Sequence, residues 1–165
     1  MDGLLKSRIF VPLFSRGAIN HPYNRRQNIS ELKTDSPIDN FLLEQRLALE
    51  LNKRGLIELV SPIMIGDCEE STNMFNNYFE SGCHPNTKDV VVEEIEKRII
   101  SELDRQSLGL PLFDNLGVKT IIDTIFKNQG CFIVGSLDES VEKIVSSITQ
   151  AKHDLDKKDD IYIVG

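Results

Sequence analysis

A glutamate lies within an apolar arc of a predicted helix in the first third of the chain. The segment NFLLEQRLALEL follows a helical period, and at about 100° per residue Phe41, Leu47, Ala48 and Leu51 share one face. Glu44 projects from between Leu51 and Ala48 on that face. Such a carboxylate either reaches out to solvent or a nearby arginine, or lines a cleft at the mouth of a βαβ unit. The helical period alone leaves both interpretations open.

Other signatures of catalysis are absent from the sequence. No GxGxxG, GxxxxGK[ST], GxSxG or HExxH pattern occurs, so the common nucleotide, hydrolase and zinc signatures are missing. Three cysteines, Cys68, Cys83 and Cys131, show no paired spacing, which fits a reducing cytosol better than a disulfide framework. His84 follows Cys83 without a second ligand pair, so no metal site is expected.

The composition limits the classes of protein to which this chain can belong. The 165 residues are 40% hydrophobic, enough for one domain with a sizeable core. The net charge of −7 argues against general binding to nucleic acids or anionic membranes. Residues 1–30 are locally +4, however, and could face an anionic ligand or form ordinary solvated surface. No apolar run approaches a membrane span and no signal peptide is recognisable, so we expect a cytoplasmic protein without a membrane partner.

Extended apolar runs alternate with helical periods in the first half of the chain. SRIFVPLFS, residues 7–15, is typical of a buried parallel strand, and a polar loop follows to residue 39. The helix that carries Glu44 then ends near Gly55, before a second strand, ELVSPIMIG. Strand, helix and strand predict a βαβ unit. Residues 68–88 are expected to be irregular.

The sequence pattern of the second half of the chain predicts three helices and one strand. Asp89 is expected to cap a helix that runs to about Leu103. VKTIIDTIFKNQG predicts a further helix, CFIVG a third strand, and a capping box of Ser136 and Glu139 the start of a last helix. The predicted apolar stripes of the first and last of these helices are Val92, Ile95, Ile99, Leu103 and Val141, Ile144, Val145, Ile148.

These segments together resemble part of a Toll/interleukin-receptor (TIR) domain. SRIFVPLFSRGAIN, NFLLEQRLALEL and LVSPIMIGD are similar to its third strand, the helix that holds the family's glutamate, and its fourth strand. FESGCHPNTKDVVVEEIEKRI and IIDTIFKNQGCFIVG resemble the carboxyl-terminal region of TIR proteins from lower eukaryotes. The resemblance covers most of residues 4–150. It implies an α/β fold, a flavodoxin-like parallel sheet flanked by helices.

The resemblance implies NAD⁺ glycohydrolysis, with NAD⁺ as substrate rather than cofactor. Glu44 matches the catalytic glutamate of NAD-cleaving TIR domains, and Ser15, Arg16 and Gly17 match the loop that borders the pocket. Loss of nicotinamide leaves an oxocarbenium-like ribose that a carboxylate can stabilise. Arg16 would hold a phosphate or pair with Glu44. The alternative function is a non-catalytic module that self-associates or recruits other TIR domains.

The chain also departs from the family pattern. Phe41 stands where the family often has a cysteine, three residues before its glutamate. The family's first two strands, first helix and BB loop have no counterpart, so the fold is expected to be incomplete at the amino terminus, with weak or absent turnover. We therefore expect a partial TIR-like domain over residues 1–153 and an exposed tail, or the start of a missing element, over 154–165.

Overall fold

Short parallel strands and flanking helices make up the part of the chain that the structure describes. This computed structural model describes residues 2–14, 28–65, 67–69, 74–76, 87–109, 111–127, 131–133 and 137–160. The helices are α1 (Asp2–Leu5), α2 (Asn40–Lys53), α3 (Glu93–Arg105), α4 (Val118–Lys127) and α5 (Leu137–Asp160), with a 3₁₀ turn at Ile29–Glu31. The strands are β1 (Ile9–Phe10), β2 (Leu13–Phe14), β3 (Leu59–Val60), β4 (Ile63–Ile65), β5 (Asp67–Glu69), β6 (Met74–Asn76) and β7 (Cys131–Ile133).

A parallel arrangement is confirmed for the three predicted strand regions. β1 pairs with β3, and β2 pairs with β4, which pairs in turn with β7. Each of the first two predicted strands is split in two, because Pro12 and Pro62 lie at matching levels and a proline cannot donate a ladder hydrogen bond. The register continues across the break, from Ile9 opposite Leu59 to the next paired residues, Leu13 and Ile63. The α/β class is therefore observed.

Helix α2 lies at the centre of the described core. It begins where Asp39 accepts a hydrogen bond from the Leu42 N–H at 2.9 Å, and Gly55 just beyond its end has a φ of +71°, as the predicted helix stop requires. The helix packs against α4 and α3. The main cluster of buried apolar residues comprises Phe14, Ile29, Leu32, Leu42, Leu43, Leu47, Ala48, Leu49, Leu51, Ile57, Val60, Val92, Ile95, Ile99, Leu103, Val118, Ile121, Ile122 and Ile125.

Phe14 joins the sheet to two helices. Its side chain is fully buried, and its ring meets Phe41 of α2 edge-on with centroids 5.1 Å apart. Phe126 of α4 contacts the same ring at 4.8 Å. Since Phe14 is the last residue of β2, these contacts place the first turn of α2 at the carboxyl end of that strand.

The predicted role of Asp89 is wrong. Helix α3 begins after Val92, whereas Asp89 accepts hydrogen bonds from the N–H and hydroxyl of Thr120, at 3.0 and 2.6 Å, in the first turn of α4. A Cβ on Gly117 would come within 2.0 Å of the Asp89 carboxylate, so only glycine permits this close approach. Asp89 therefore ties together two segments distant in sequence, which a helical pattern cannot show.

Two other segments differ from expectation. Asp67–Glu69 and Met74–Asn76 form a short antiparallel pair within the stretch expected to be irregular. Helix α5 is continuous from Leu137 to Asp160, so the proposed boundary after residue 153 falls inside a helix. The predicted capping residue Ser136 lies outside the described residues. The stripe predicted for α3, in contrast, is buried throughout, from Val92 to Leu103.

The burial pattern of α2 predicts that substitutions at two positions one turn apart will change the free energy of unfolding by very different amounts. Leu47→Ala removes a fully buried side chain and should lower the free energy of unfolding by about 2–5 kcal/mol. Glu44→Gln alters an exposed side chain and should change it by less than about 1 kcal/mol. Urea unfolding followed by circular dichroism measures both, and a large loss for Glu44→Gln would show that Glu44 belongs to the packed interior.

Candidate functional site

Glu44 is the single exposed residue in the stretch from Leu42 to Leu51. The other residues of this stretch are buried, including Leu47, Ala48 and Leu51 of the predicted apolar arc, whereas Phe41 is partly buried. Glu44 therefore does not lie inside the apolar face. It occupies an opening in an otherwise covered helix surface.

The opening is a shallow depression beside the start of α2. Its volume is about 480 Å³, and it is lined by Ile38, Asn40, Leu43, Glu44 and Arg98. We call it the Glu44 depression. Arg98 belongs to α3, so the depression lies between the first turns of α2 and the middle of α3. A carboxylate and a guanidinium thus border one solvent-accessible space.

Neither charged group of the Glu44 depression is engaged elsewhere in the described structure. Within the described ranges, Glu44 and Arg98 have no hydrogen-bonded or ion-paired side chain as partner. Lys97, the neighbour of Arg98, is occupied within its own helix, since its Nζ donates to Glu94 at 2.9 Å. This hydrogen bond and the charge of Glu94 raise the pKa of Lys97 above its ordinary value. Glu44 and Arg98 therefore remain available to a ligand.

Of the predicted site residues, only Glu44 lies in the part of the chain that the structure describes. Ser15, Arg16 and Gly17 lie outside the described residues, although Ser15 directly follows Phe14, whose ring packs on the first turn of α2. Arg98 was missed by the sequence analysis. Its position next to the stripe residue Ile99 indicated a solvent-facing side chain, but nothing in the sequence shows that α3 lies opposite Glu44.

The sequence analysis also missed a buried ionic cluster, formed by Arg46, Glu50, Arg54 and Glu96. The side chains of Arg46 and Glu50 are each only 1% exposed. Arg46 binds the Glu96 carboxylate with two hydrogen bonds, Nε to Oε1 at 2.8 Å and Nη2 to Oε2 at 3.1 Å. Its Nη1 donates to Glu50 Oε2 at 3.1 Å. Paired forks of this kind are the strongest hydrogen bonds that side chains form.

The second arginine of the ionic cluster completes the hydrogen bonding of Glu50. The Oε1 of Glu50 accepts from Arg54 Nε at 3.0 Å, from Arg54 Nη2 at 2.8 Å and from the Phe113 N–H at 3.2 Å. The positions 46, 50 and 54 repeat every four residues, a spacing visible in the sequence. Sequence patterns assign such charged rows to the surface, because lone charged residues are seldom buried.

The ionic cluster also holds the segment that follows α3. Arg54 donates from Nη1 to the carbonyl oxygens of Leu108 and Gly109, at 2.7 and 3.0 Å, and from Nη2 to that of Pro111 at 3.1 Å. Arg46 donates to the carbonyl oxygen of Asp114. The cluster therefore connects α2, α3 and the segment leading to α4.

Comparison with known proteins gives no further assignment of the site. No protein family, curated protein or solved structure matches this chain. In the described ranges no three His, Cys, Asp or Glu side chains are grouped so that they could hold a metal ion. None of the described helices is both long and apolar enough to cross a bilayer. The geometry around Glu44 is therefore the feature that bears on function.

The ionic cluster predicts that α2 tolerates loss of an exposed ion pair but not of a buried one. Arg46→Met leaves Glu50 and Glu96 desolvated with fewer donors, and should destabilise the fold by roughly 3–5 kcal/mol. Lys53→Met, the matched control in the same helix, removes only an exposed pair with Asp114 and should cost about 1 kcal/mol or less. Equal urea midpoints for the two variants would contradict the structural role of the cluster.

Proposed function

We propose that this chain is a TIR-type signalling domain whose parent chemistry is hydrolysis of the nicotinamide–ribose bond of NAD⁺, with Glu44 as the catalytic carboxylate. The supporting observation is that Glu44 alone is exposed in the stretch from Leu42 to Leu51. The fold makes no described use of its charge. A carboxylate with no described structural task, one turn after the Phe41 that contacts the end of β2, is a candidate for the ligand site that open α/β sheets form at that edge. The flavodoxin-like form of the sheet belongs to the same proposal.

In the proposed reaction, Glu44 acts on the sugar. As neutral nicotinamide departs, positive charge develops on the ribose, and the carboxylate stabilises that charge and orients the ribose hydroxyls. Water then adds to the ribose carbon and loses a proton to solvent, which gives ADP-ribose. Arg98, across the Glu44 depression, offers a cation for the phosphates of NAD⁺.

Low turnover is part of the proposal. The Glu44 depression is open to solvent, where the high dielectric weakens the attraction between a carboxylate and a developing cation. Closing such a site would exclude water and strengthen the interaction. We therefore expect slow nicotinamide release from this chain alone.

A second candidate function is a non-catalytic module that binds other TIR domains or its own copies. One observation favours it. Among the described strands, β1 and β2 have neighbours on one side only, and the side chain of Leu13 is 54% exposed. The carbonyl groups of residues 8, 10 and 12 bond to the β3–β4 side, so those of the alternate residues face the other way. Such an edge is a template for a further strand.

Nicotinamide release discriminates between the two functions. The wild-type chain, Glu44→Gln and Glu142→Gln are incubated with NAD⁺ at matched concentrations, and free nicotinamide is measured by chromatography. Glu142 is an exposed glutamate on another helix and serves as the control. We expect slow release by the wild type and by Glu142→Gln, and a loss of at least about tenfold in Glu44→Gln.

The remaining outcomes count against the enzymatic function. Release that persists unchanged in Glu44→Gln would remove Glu44 from the reaction. No release from any of the three proteins would favour the interaction module. Circular dichroism of each variant shows whether a loss of activity reflects the site rather than unfolding.

A further inference from the structure

A cavity lies between the chain segment that enters β1 and the carboxyl-terminal half of α5. Its volume is about 340 Å³, within the usual range of small-molecule sites, roughly 300–1,000 Å³. Residues 6–9 form one wall, and Lys152, Leu155 and Asp156 of α5 form the other. We call it the Lys6 cavity.

The two walls of the Lys6 cavity are tied to the fold and to each other. The carbonyl oxygen of Arg8 accepts hydrogen bonds from the N–H groups of Glu58 and Leu59, at 2.8 and 3.3 Å, which fixes the first wall to the sheet. The Arg8 side chain then donates from Nη1 to Asp156 Oδ1 of α5 at 3.4 Å. A cavity that is formed before its ligand arrives lowers the entropic cost of binding.

Positive charge predominates around the Lys6 cavity. Among its described lining residues three are cationic and one, Asp156, is anionic. Arg8 binds this carboxylate and also that of Glu58. Within the described ranges, Lys6 and Lys152 have no hydrogen-bonded or ion-paired side chain as partner. Two ammonium groups from opposite walls therefore border one space, while its described carboxylate is already bound to Arg8.

The remaining lining residues offer apolar surface. Leu155 is buried and Ile9 is partly buried. The hydroxyl of Ser7 donates to the carbonyl oxygen of Gly3 at 2.7 Å, so its proton is not available to a ligand. A ligand in the Lys6 cavity therefore meets two ammonium groups and two aliphatic side chains.

We propose that the Lys6 cavity binds a small organic phosphate, a phosphate monoester with an apolar group, whose phosphate lies between Lys6 and Lys152. Lysine binds phosphate as a point charge, and an anion between two ammonium groups offsets their mutual repulsion. The cavity has room for more than a bare phosphate ion, and Ile9 and Leu155 favour an apolar group in the rest of it.

This site also accounts for part of the basic amino-terminal stretch. Residues 1–30 carry a local charge of +4, which the sequence assigned either to an anionic ligand or to ordinary surface. The structure brings Lys6 of that stretch to the same cavity as Lys152, which is 146 positions later in the chain. A pairing of cations so distant in sequence favours the first alternative for Lys6.

The phosphate site goes beyond the function proposed above and does not depend on it. The Lys6 cavity and the Glu44 depression share no described lining residue. Phosphate binding is measured without NAD⁺, and nicotinamide release is measured without another phosphate compound. Failure of either claim therefore leaves the other standing.

Isothermal titration calorimetry of the full chain tests the class of ligand. Phenyl phosphate, inorganic phosphate and phenol are compared at one pH and one ionic strength. Phenyl phosphate should bind, and inorganic phosphate should bind about tenfold more weakly because it cannot contact Ile9 and Leu155. Phenol should show no binding. Absence of phenyl phosphate binding at millimolar concentration, or equal affinity for phenyl phosphate and either of the other compounds, would overturn the proposal.

Lysine substitutions test the location of the site. Lys6→Met and Lys152→Met should each weaken phenyl phosphate binding by about fivefold or more, because each removes a charged donor. Lys143→Met is the matched control, an exposed lysine on α5 outside the Lys6 cavity, and should bind like the wild type. All three side chains are exposed, so the circular dichroism spectra should be unchanged.

Two results with these variants would contradict the site. An equal loss of binding in Lys143→Met and Lys152→Met would indicate attraction to the surface charge of α5 in general. Wild-type affinity in both Lys6→Met and Lys152→Met would place phenyl phosphate elsewhere on the protein.

Discussion

A desolvated group of four charges is the constraint on which the described structure depends: Arg46 and Glu50 on α2, Arg54 just after it and Glu96 on α3. Placing Arg46 and Glu50 in the interior costs several kcal/mol per ion unless hydrogen bonds satisfy nearly every polar atom. Both oxygens of Glu50 are used, one by Arg46 and the other by Arg54 and a backbone N–H. That requirement brings α2, α3 and the segment before α4 together in one arrangement, since any other would leave a buried charge incomplete.

Two carboxylates on helix α2 have opposite surroundings. Glu50 is saturated with donors and holds the fold together, whereas Glu44, six residues earlier, faces solvent and has no described structural partner. Removing Glu50 disturbs the interior, but Glu44 can be altered without that penalty. A residue that the described fold does not need, and that borders one depression with Arg98, is free to serve a ligand. This division supports the proposal for Glu44 more directly than the helical pattern did.

Local patterns predicted the elements whose causes are local. The helical periods of α2 and α3, the helix stop at Gly55 and the parallel strands before and after α2 all follow from residue spacing and backbone preference. The two prolines that divide the strands were visible too, and their effect on the ladder follows from the missing N–H. No local pattern shows which distant segment a polar side chain will contact.

The remaining features depend on contacts between segments that are far apart in the sequence. The sequence pattern predicts Arg46 and Glu50 to be surface charges, because Glu96, which Arg46 contacts, lies far away in the sequence. Asp89 reads as a cap for the nearest helix, yet it binds the first turn of a later one. The role of Glu44 stays a prediction, and the apolar arc misjudged its surroundings, because Glu44 is exposed rather than set within a buried face. The placement of Arg98 opposite it required the packing of α3 on α2.

Hydrogen exchange at individual backbone amides tests the separation of the two carboxylates most directly. Glu50→Gln and Glu44→Gln are compared with the wild type, with attention to the amides of α2, α3 and residues 108–114. The account predicts that Glu50→Gln loses protection at Phe113 and in both helices, while Glu44→Gln retains the wild-type pattern. Equal loss of protection in the two variants, or none in Glu50→Gln, would contradict the claim that Glu50 holds the fold and leaves Glu44 free for function.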